Sequence, residues 1–214
     1  MVRYGMLIEA DRCIGCDICL KACKDEFVGN EYPPHSASQP EPSYGYGSNM
    51  TFGWPNTPST TTPWVSHGHL WMDVHEQTQG TYPDIKVRYV PKPCMHCDDP
   101  PCLKASTNGA VYKRPDGIVI IDPEKSRNQT QVTDSCPYGR IYLNSAKMIP
   151  QKCTFCVHLL EKGSMPRCVE ACPLKVITFG DLDDPDSEVA KKIEELKAKP
   201  LHQEYGTRPK VYYT

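Results

Sequence analysis

The chain has 214 residues, enough for one large or two small domains, and a formal net charge of −2, which gives no basic footprint for nucleic acid. Only 39% of its residues are hydrophobic, against 21 Pro, 14 Gly and 12 Cys, so apolar burial is a thin support for the chain entropy that folding must overcome. The longest apolar run, Ile118 to Ile121, is far below the roughly 18 to 20 residues that span a bilayer, so no membrane span is expected.

The N-terminal stretch carries one Arg, and Glu9 and Asp11 interrupt any apolar run early. A cleaved secretory signal is therefore not expected, and a cytoplasmic location follows, with export as a passenger on a folded partner the alternative. Next come Cys13, Cys16, Cys19 and Cys23, a Cys-x2-Cys-x2-Cys-x3-Cys run. This is the ferredoxin spacing of a 4Fe-4S cluster, in which three thiolates of one loop reach one cube and the fourth reaches another. Structural zinc usually takes paired Cys-x2-Cys knuckles, and disulfides across such short gaps would be strained. The spacing favours iron-sulfur, with zinc as the alternative.

From Pro33 to about Gly68 the chain is crowded with Pro, Gly, Ser and Thr without periodicity, yet it contains Tyr44, Tyr46, Phe52, Trp54 and Trp64. So many aromatics argue for a loop draped over a partner subunit rather than plain disorder. Cys94, Cys97 and Cys102 form a stretched second run whose fourth place is Ser106. Gly117 to Asp122 reads as a strand, Cys136-Pro137 as the last member of a third run, and Gly139 to Leu143 as another strand. Counting back from Cys136 puts that run's missing members at Ser126, Gln129 and Val132. The fourth run is Cys153, Cys156, Cys168 and Cys172-Pro173. Asp184 is the expected N-cap and Pro185 the first residue of a helix bearing Val189, Ile193 and Leu196 and closing at Lys199-Pro200, with Tyr205 to Thr214 an extended tail.

Twelve cysteines thus fill twelve of sixteen places. If the second run pairs with the third, one cluster takes Cys94, Cys97, Cys102 and Cys136, and its sister loses all four ligands together. Pairing the first run with the second instead leaves a three-ligand site at Ser106. The economical arrangement pairs first with fourth, giving Cys13, Cys16, Cys19 and Cys172 to one cluster and Cys153, Cys156, Cys168 and Cys23 to another. Three clusters and an α+β fold of two ferredoxin-type domains follow. Domain one is discontinuous (1–32 and 146–184), 33–87 is an insertion and connecting segment, domain two is 88–145, and 185–214 is helix and tail.

No catalytic constellation emerges. His67, His69 and His75 lack a carboxylate or Cys at ligand spacing, and His96 and His158 beside the runs are expected to face solvent or to bond around a cluster rather than to ligate.

The four-run layout, Cys-Pro-Tyr-Gly at 136–139, Gln-Lys-Cys-Thr-Phe-Cys at 151–156 and Phe-Gly-Asp-Leu-Asp-Asp-Pro-Asp-Ser-Glu-Val at 179–189 resemble the electron-transfer subunits of the dimethyl-sulfoxide-reductase family of molybdenum enzymes. Those subunits usually carry four clusters. Pro93 to Cys97, Gly109 to Tyr112, Asp116 to Val119 and Met165 to Cys168 are most similar to the transhydroxylase branch. The resembled small subunit continues into a further β domain, where this chain stops at Thr214, and the aromatic loop is an addition. The resemblance implies a non-catalytic subunit of an oxidoreductase or transhydroxylase complex, docked in a heterodimer or larger assembly on a large subunit. That partner would hold the molybdenum or tungsten bis-pterin and hydroxylate, dehydroxylate or transhydroxylate phenolic rings under anaerobic conditions. An external electron carrier is a further expected partner. The alternatives are an arsenate or sulfur-oxide type respiratory subunit, a free-standing polyferredoxin and a zinc-stapled scaffold.

Overall fold

A computed structural model describes residues 2–27, 71–144 and 147–214. The aromatic loop read at 33–68, with His67 and His69, lies outside the described residues.

The fold is mixed α+β and is organised around β1 (Tyr4–Ile8), in which Met6, Leu7 and Ile8 are fully buried. A short strand buried on both faces needs ladder partners on both edges, because an unpaired N–H or C=O has no water to turn to. One edge pairs antiparallel with β8 (Ile177–Asp181), Tyr4 opposite Asp181 and Ile8 opposite Ile177. The other pairs parallel with β10 (Val211–Tyr213), Met6 opposite Val211, and β9 (Lys199–Pro200) closes the sheet in the order β8-β1-β10-β9. The expected extended tail is therefore a sheet strand. Its Val-Tyr-Tyr composition suits a pleated, buried setting, and Val211 is fully buried. A Cβ at Gly5 on β1 would stand 2.4 Å from Leu182 Cδ1, so a larger residue there would have to displace the Leu182 side chain.

Three hairpins form separate two-stranded sheets. They are β2 (Asp73–Gln79) with β3 (Lys86–Lys92), β4 (Val111–Lys113) with β5 (Val119–Ile121), and β6 (Tyr142–Asn144) with β7 (Ile149–Gln151). The first occupies part of what reads in sequence as a connecting segment. The strand expected from Gly139 instead begins at Tyr142. Gly139 sits at φ 61 and its N–H donates to the Cys136 carbonyl at 3.0 Å, so residues 136–139 curl around the cysteine before the chain can extend.

The helices are short: α1 (Ile18–Glu26), α2 (Pro101–Ala105), α3 (Gln131–Asp134), α4 (Val157–Leu160), α5 (Arg167–Ala171) and α6 (Glu188–Glu195). The cap of α6 is Ser187, not Asp184. Ser187 Oγ accepts from the Ala190 N–H at 3.2 Å and donates to the Asp181 carbonyl at 2.5 Å, while Asp184 Oδ1 is used by the Asp186 N–H at 2.9 Å in the preceding turn. A cap needs a side-chain oxygen facing the first free N–H groups, and only Ser187 has one there. The helix lays Val189, fully buried, against the sheet.

The main core threads Met6, Ile8, Met72, Met95, Phe155 and Val211 between cysteines of the first, second and fourth runs. A smaller one joins Cys102 to Val111, Val119, Val132 and Ile141. At the places counted back from Cys136, Ser126 and Val132 are fully buried, and Gln129 bridges the Thr107 and Lys125 carbonyls at 3.2 and 2.8 Å. Side chains fill the space around those three positions. Among the described residues no helix is long and apolar enough to cross a membrane.

Candidate metal centres

None of the twelve cysteines is joined in a disulfide. Helix α1 presents Cys19 and Cys23 one turn apart on one face, α5 carries Cys168 and ends at Cys172, and the two helices pack together. A clasp fixes their approach: Glu26 of α1 accepts from Arg167 at 2.5 Å and pairs with His158 at 2.8 Å, and those two partners hold its carboxyl below the usual range.

The first cavity is walled by Cys13, Cys16, Cys19 and Cys172 with Ile14, Val74, Pro91 and Ile177, and holds about 350 Å³ of space, its mouth included. Cys16, one of its four thiols, is exposed. A far cavity of about 330 Å³ is walled by Cys94, Cys97, Cys102 and Cys136 with Pro100, Val119, Pro137 and Ile141. The chain's last residues cover it. Lys210 N–H donates to the Met95 carbonyl at 2.9 Å, Asp98 N–H to the Arg208 carbonyl at 2.8 Å, and the Tyr138 and Thr207 hydroxyls meet at 2.6 Å.

Between these lies a buried central group of Cys23, Cys153, Cys156 and Cys168. Burial pushes Cys23 up to about 12, with Cys156 adding to it, and pushes Cys153 and Cys168 well above the ordinary thiol value, with Cys23 and Cys156 facing both. Cys19 also bears on Cys168, and Cys94 on Cys153, so this group neighbours a member of each of the other two. Burial likewise raises Cys19, Cys97 and Cys102 to about 12, and raises Cys13 and Cys136. A buried thiol resists losing its proton unless a cation takes its place, which is the condition a metal meets.

One backbone device recurs in three loops. The residue two after the first cysteine, Gly15, His96 or Phe155, has φ of 67, 42 or 53. His96 and Phe155 N–H point at Cys94 and Cys153 Sγ, at 3.5 and 3.4 Å, and the Gly15 amide bonds Cys13 in the same way. Left-handed backbone at a bulky residue costs about 1 to 2 kcal/mol, so the packing around these loops must overrule it. Amide hydrogen bonds to sulfur are what tunes an iron-sulfur site.

Of the two settings expected for His96, the structure shows the one beside a thiol group: the residue is fully buried and lines the far cavity. Its ring stacks on Phe155 at 3.7 Å, and Nδ1 accepts from the Val119 N–H at 3.1 Å, which leaves the proton on Nε2. Desolvation keeps the ring neutral. His158 is partly exposed and bonds Glu26, and His75 bonds Asp73 at 2.8 Å. Sequence reasoning passed over three buried cations. Arg140 is tied to Asp73 at 3.1 Å and to the Lys92 carbonyl, while Lys152 and Lys210 donate to backbone carbonyls. A basic residue beside a ligand reads as surface unless its burial is known.

Thiols are the donors throughout. Among the described residues no three or more His, Cys, Asp or Glu converge to hold one metal ion; eight of the thiols line the two cavities instead. Soft sulfur donors around an apolar space fit an iron-sulfur cluster.

A 4Fe-4S dicluster domain matches residues 85–182, and with the thiol groups it defines the chain as an iron-sulfur protein. Over its whole length it is 39% identical to the pyrogallol hydroxytransferase small subunit of Pelobacter acidigallici, 69% of which is covered, and 32% identical to a sulfite dehydrogenase subunit of Allochromatium vinosum, 83% of which is covered. With 99% of the chain aligned, it is 29% identical to the arsenate respiratory reductase iron-sulfur subunit of a Shewanella species, 96% of which is covered. The chain belongs to the iron-sulfur electron-transfer subunits of the dimethyl-sulfoxide-reductase family of molybdenum enzymes.

Proposed function

We propose that the chain carries three 4Fe-4S clusters and passes electrons to or from a large catalytic subunit that holds a molybdenum or tungsten bis-pterin and acts on phenolic rings. The reading is supported by how the thiols gather: Cys13, Cys16, Cys19 and Cys172 wall one cavity, Cys94, Cys97, Cys102 and Cys136 wall another, and Cys23, Cys153, Cys156 and Cys168 bear on one another in the buried interior. The phenolic branch is supported by the 39% identity to a pyrogallol hydroxytransferase subunit, against 32% and 29% for the sulfite and arsenate relatives.

When bound, the clusters supply one-electron relays, and the chain's own residues hold and insulate them. The α1–α5 clasp keeps the N-terminal and C-terminal runs together, so that ligands far apart in sequence meet. Val119, Ile141 and the prolines wall the far cavity with apolar surface, and His96 of that wall stacks on Phe155, which lies between Cys153 and Cys156 in the chain. Exposed Cys16 makes the first cavity the place for exchange with a partner. A two-domain division, a cytoplasmic location and a heterodimer complete the reading.

Purifying the tagged chain anaerobically from its own host tests this. A large molybdenum- or tungsten-pterin protein should co-purify in about equal amount. A chain that elutes alone with its clusters intact would make it a free polyferredoxin.

A further inference from the structure

Lys152 is buried, with 2% of its surface exposed, and no carboxylate among the described residues pairs with it. Its ammonium donates to the Val119 carbonyl and, at 3.1 Å, to the Cys153 carbonyl. Val119 walls the far cavity and Cys153 belongs to the central group, while Lys152 also acts electrostatically on Cys102. The side chain therefore stands between two thiol groups. Lys210 makes an instructive contrast: it is equally buried, but the Asp98 carboxylate lies 3.7 Å from its Nζ.

An ammonium ion out of water needs an anion nearby, and carbonyl dipoles answer only part of that need. A cluster held by four thiolates is a net anion, and one-electron reduction makes it more negative. We propose that Lys152 is a positioning residue for electron transfer, its buried charge shared by the central and far cluster sites and raising the reduction potential of both. The inference rests on the three-cluster reading. Coulomb attraction here is weakly screened, because burial excludes water and salt from the space between the groups.

The test compares Lys152→Met and Lys152→Arg with the unaltered chain, each in the purified complex, by anaerobic titration with dithionite followed by electron paramagnetic resonance and by iron analysis. In Lys152→Met, iron stays at the unaltered level. Two of the three reduction equilibria become about tenfold less favourable, ~59 mV for a one-electron couple, and the cluster of Cys13, Cys16, Cys19 and Cys172 is unmoved. Lys152→Arg keeps all three potentials. Should Lys152→Met lose iron, retention of iron and potentials by Lys152→Arg still shows that the charge is what matters. Unchanged potentials at full iron, equal shifts in both variants, or iron lost from both overturn the inference. An unaltered chain with two clusters, or with zinc, would instead defeat the three-cluster reading before any variant is compared.

Discussion

Substituting Cys136→Ser and, separately, Cys102→Ser is expected to abolish or alter the same single cluster signal and leave the other two. The two residues lie on different runs, 34 positions apart in the sequence, and the cavity at Pro100, Val119 and Ile141 joins them. Cys168→Ser should remove a different signal, because Cys168 faces Cys23, Cys153 and Cys156. Electron paramagnetic resonance of the reduced proteins distinguishes the outcomes. If Cys136→Ser and Cys102→Ser damage different clusters, the ligand sets are misassigned.

Removing iron should collapse the fold. Seven cysteines take part in the main core beside Met6, Phe155 and Val211, so emptying the sites opens the core and severs its cross-links together. Cys19 and Cys172 are 153 residues apart in sequence, and by the relation for disulfides, closing a loop of that size contributes about 5 kcal/mol per link. A domain's entire stability is about 5 to 15 kcal/mol. After anaerobic chelation, near-ultraviolet circular dichroism should be lost along with any cooperative thermal transition. A melting curve unmoved by iron removal would mean that the apolar core alone suffices.

The cysteine pattern was legible because cluster ligation constrains spacing directly: residues 13 to 23 and 153 to 172 display it without reference to anything distant. The strand at Val119–Ile121 and the helix carrying Val189 were also readable, since an apolar run and a helical repeat are local signals. What stayed hidden depends on partners far away in the chain. The last residues look like a tail until β1 is seen to need a second ladder partner, which Val211–Tyr213 supplies. Ser187 and Asp184 both qualify as caps by residue type, and only the turn that consumes Asp184 Oδ1 separates them. His96 and Lys152 read as ordinary polar neighbours of cysteines; their burial comes from Phe155, Val119 and the covering 207–210 segment, none of which is near His96 in sequence.

The metal content of the anaerobically purified chain tests the central claim most directly. Three cubes predict about twelve iron atoms per chain, with matching sulfide, and visible absorption near roughly 400 nm that dithionite bleaches. About eight iron atoms, or stoichiometric zinc in place of iron, would contradict it.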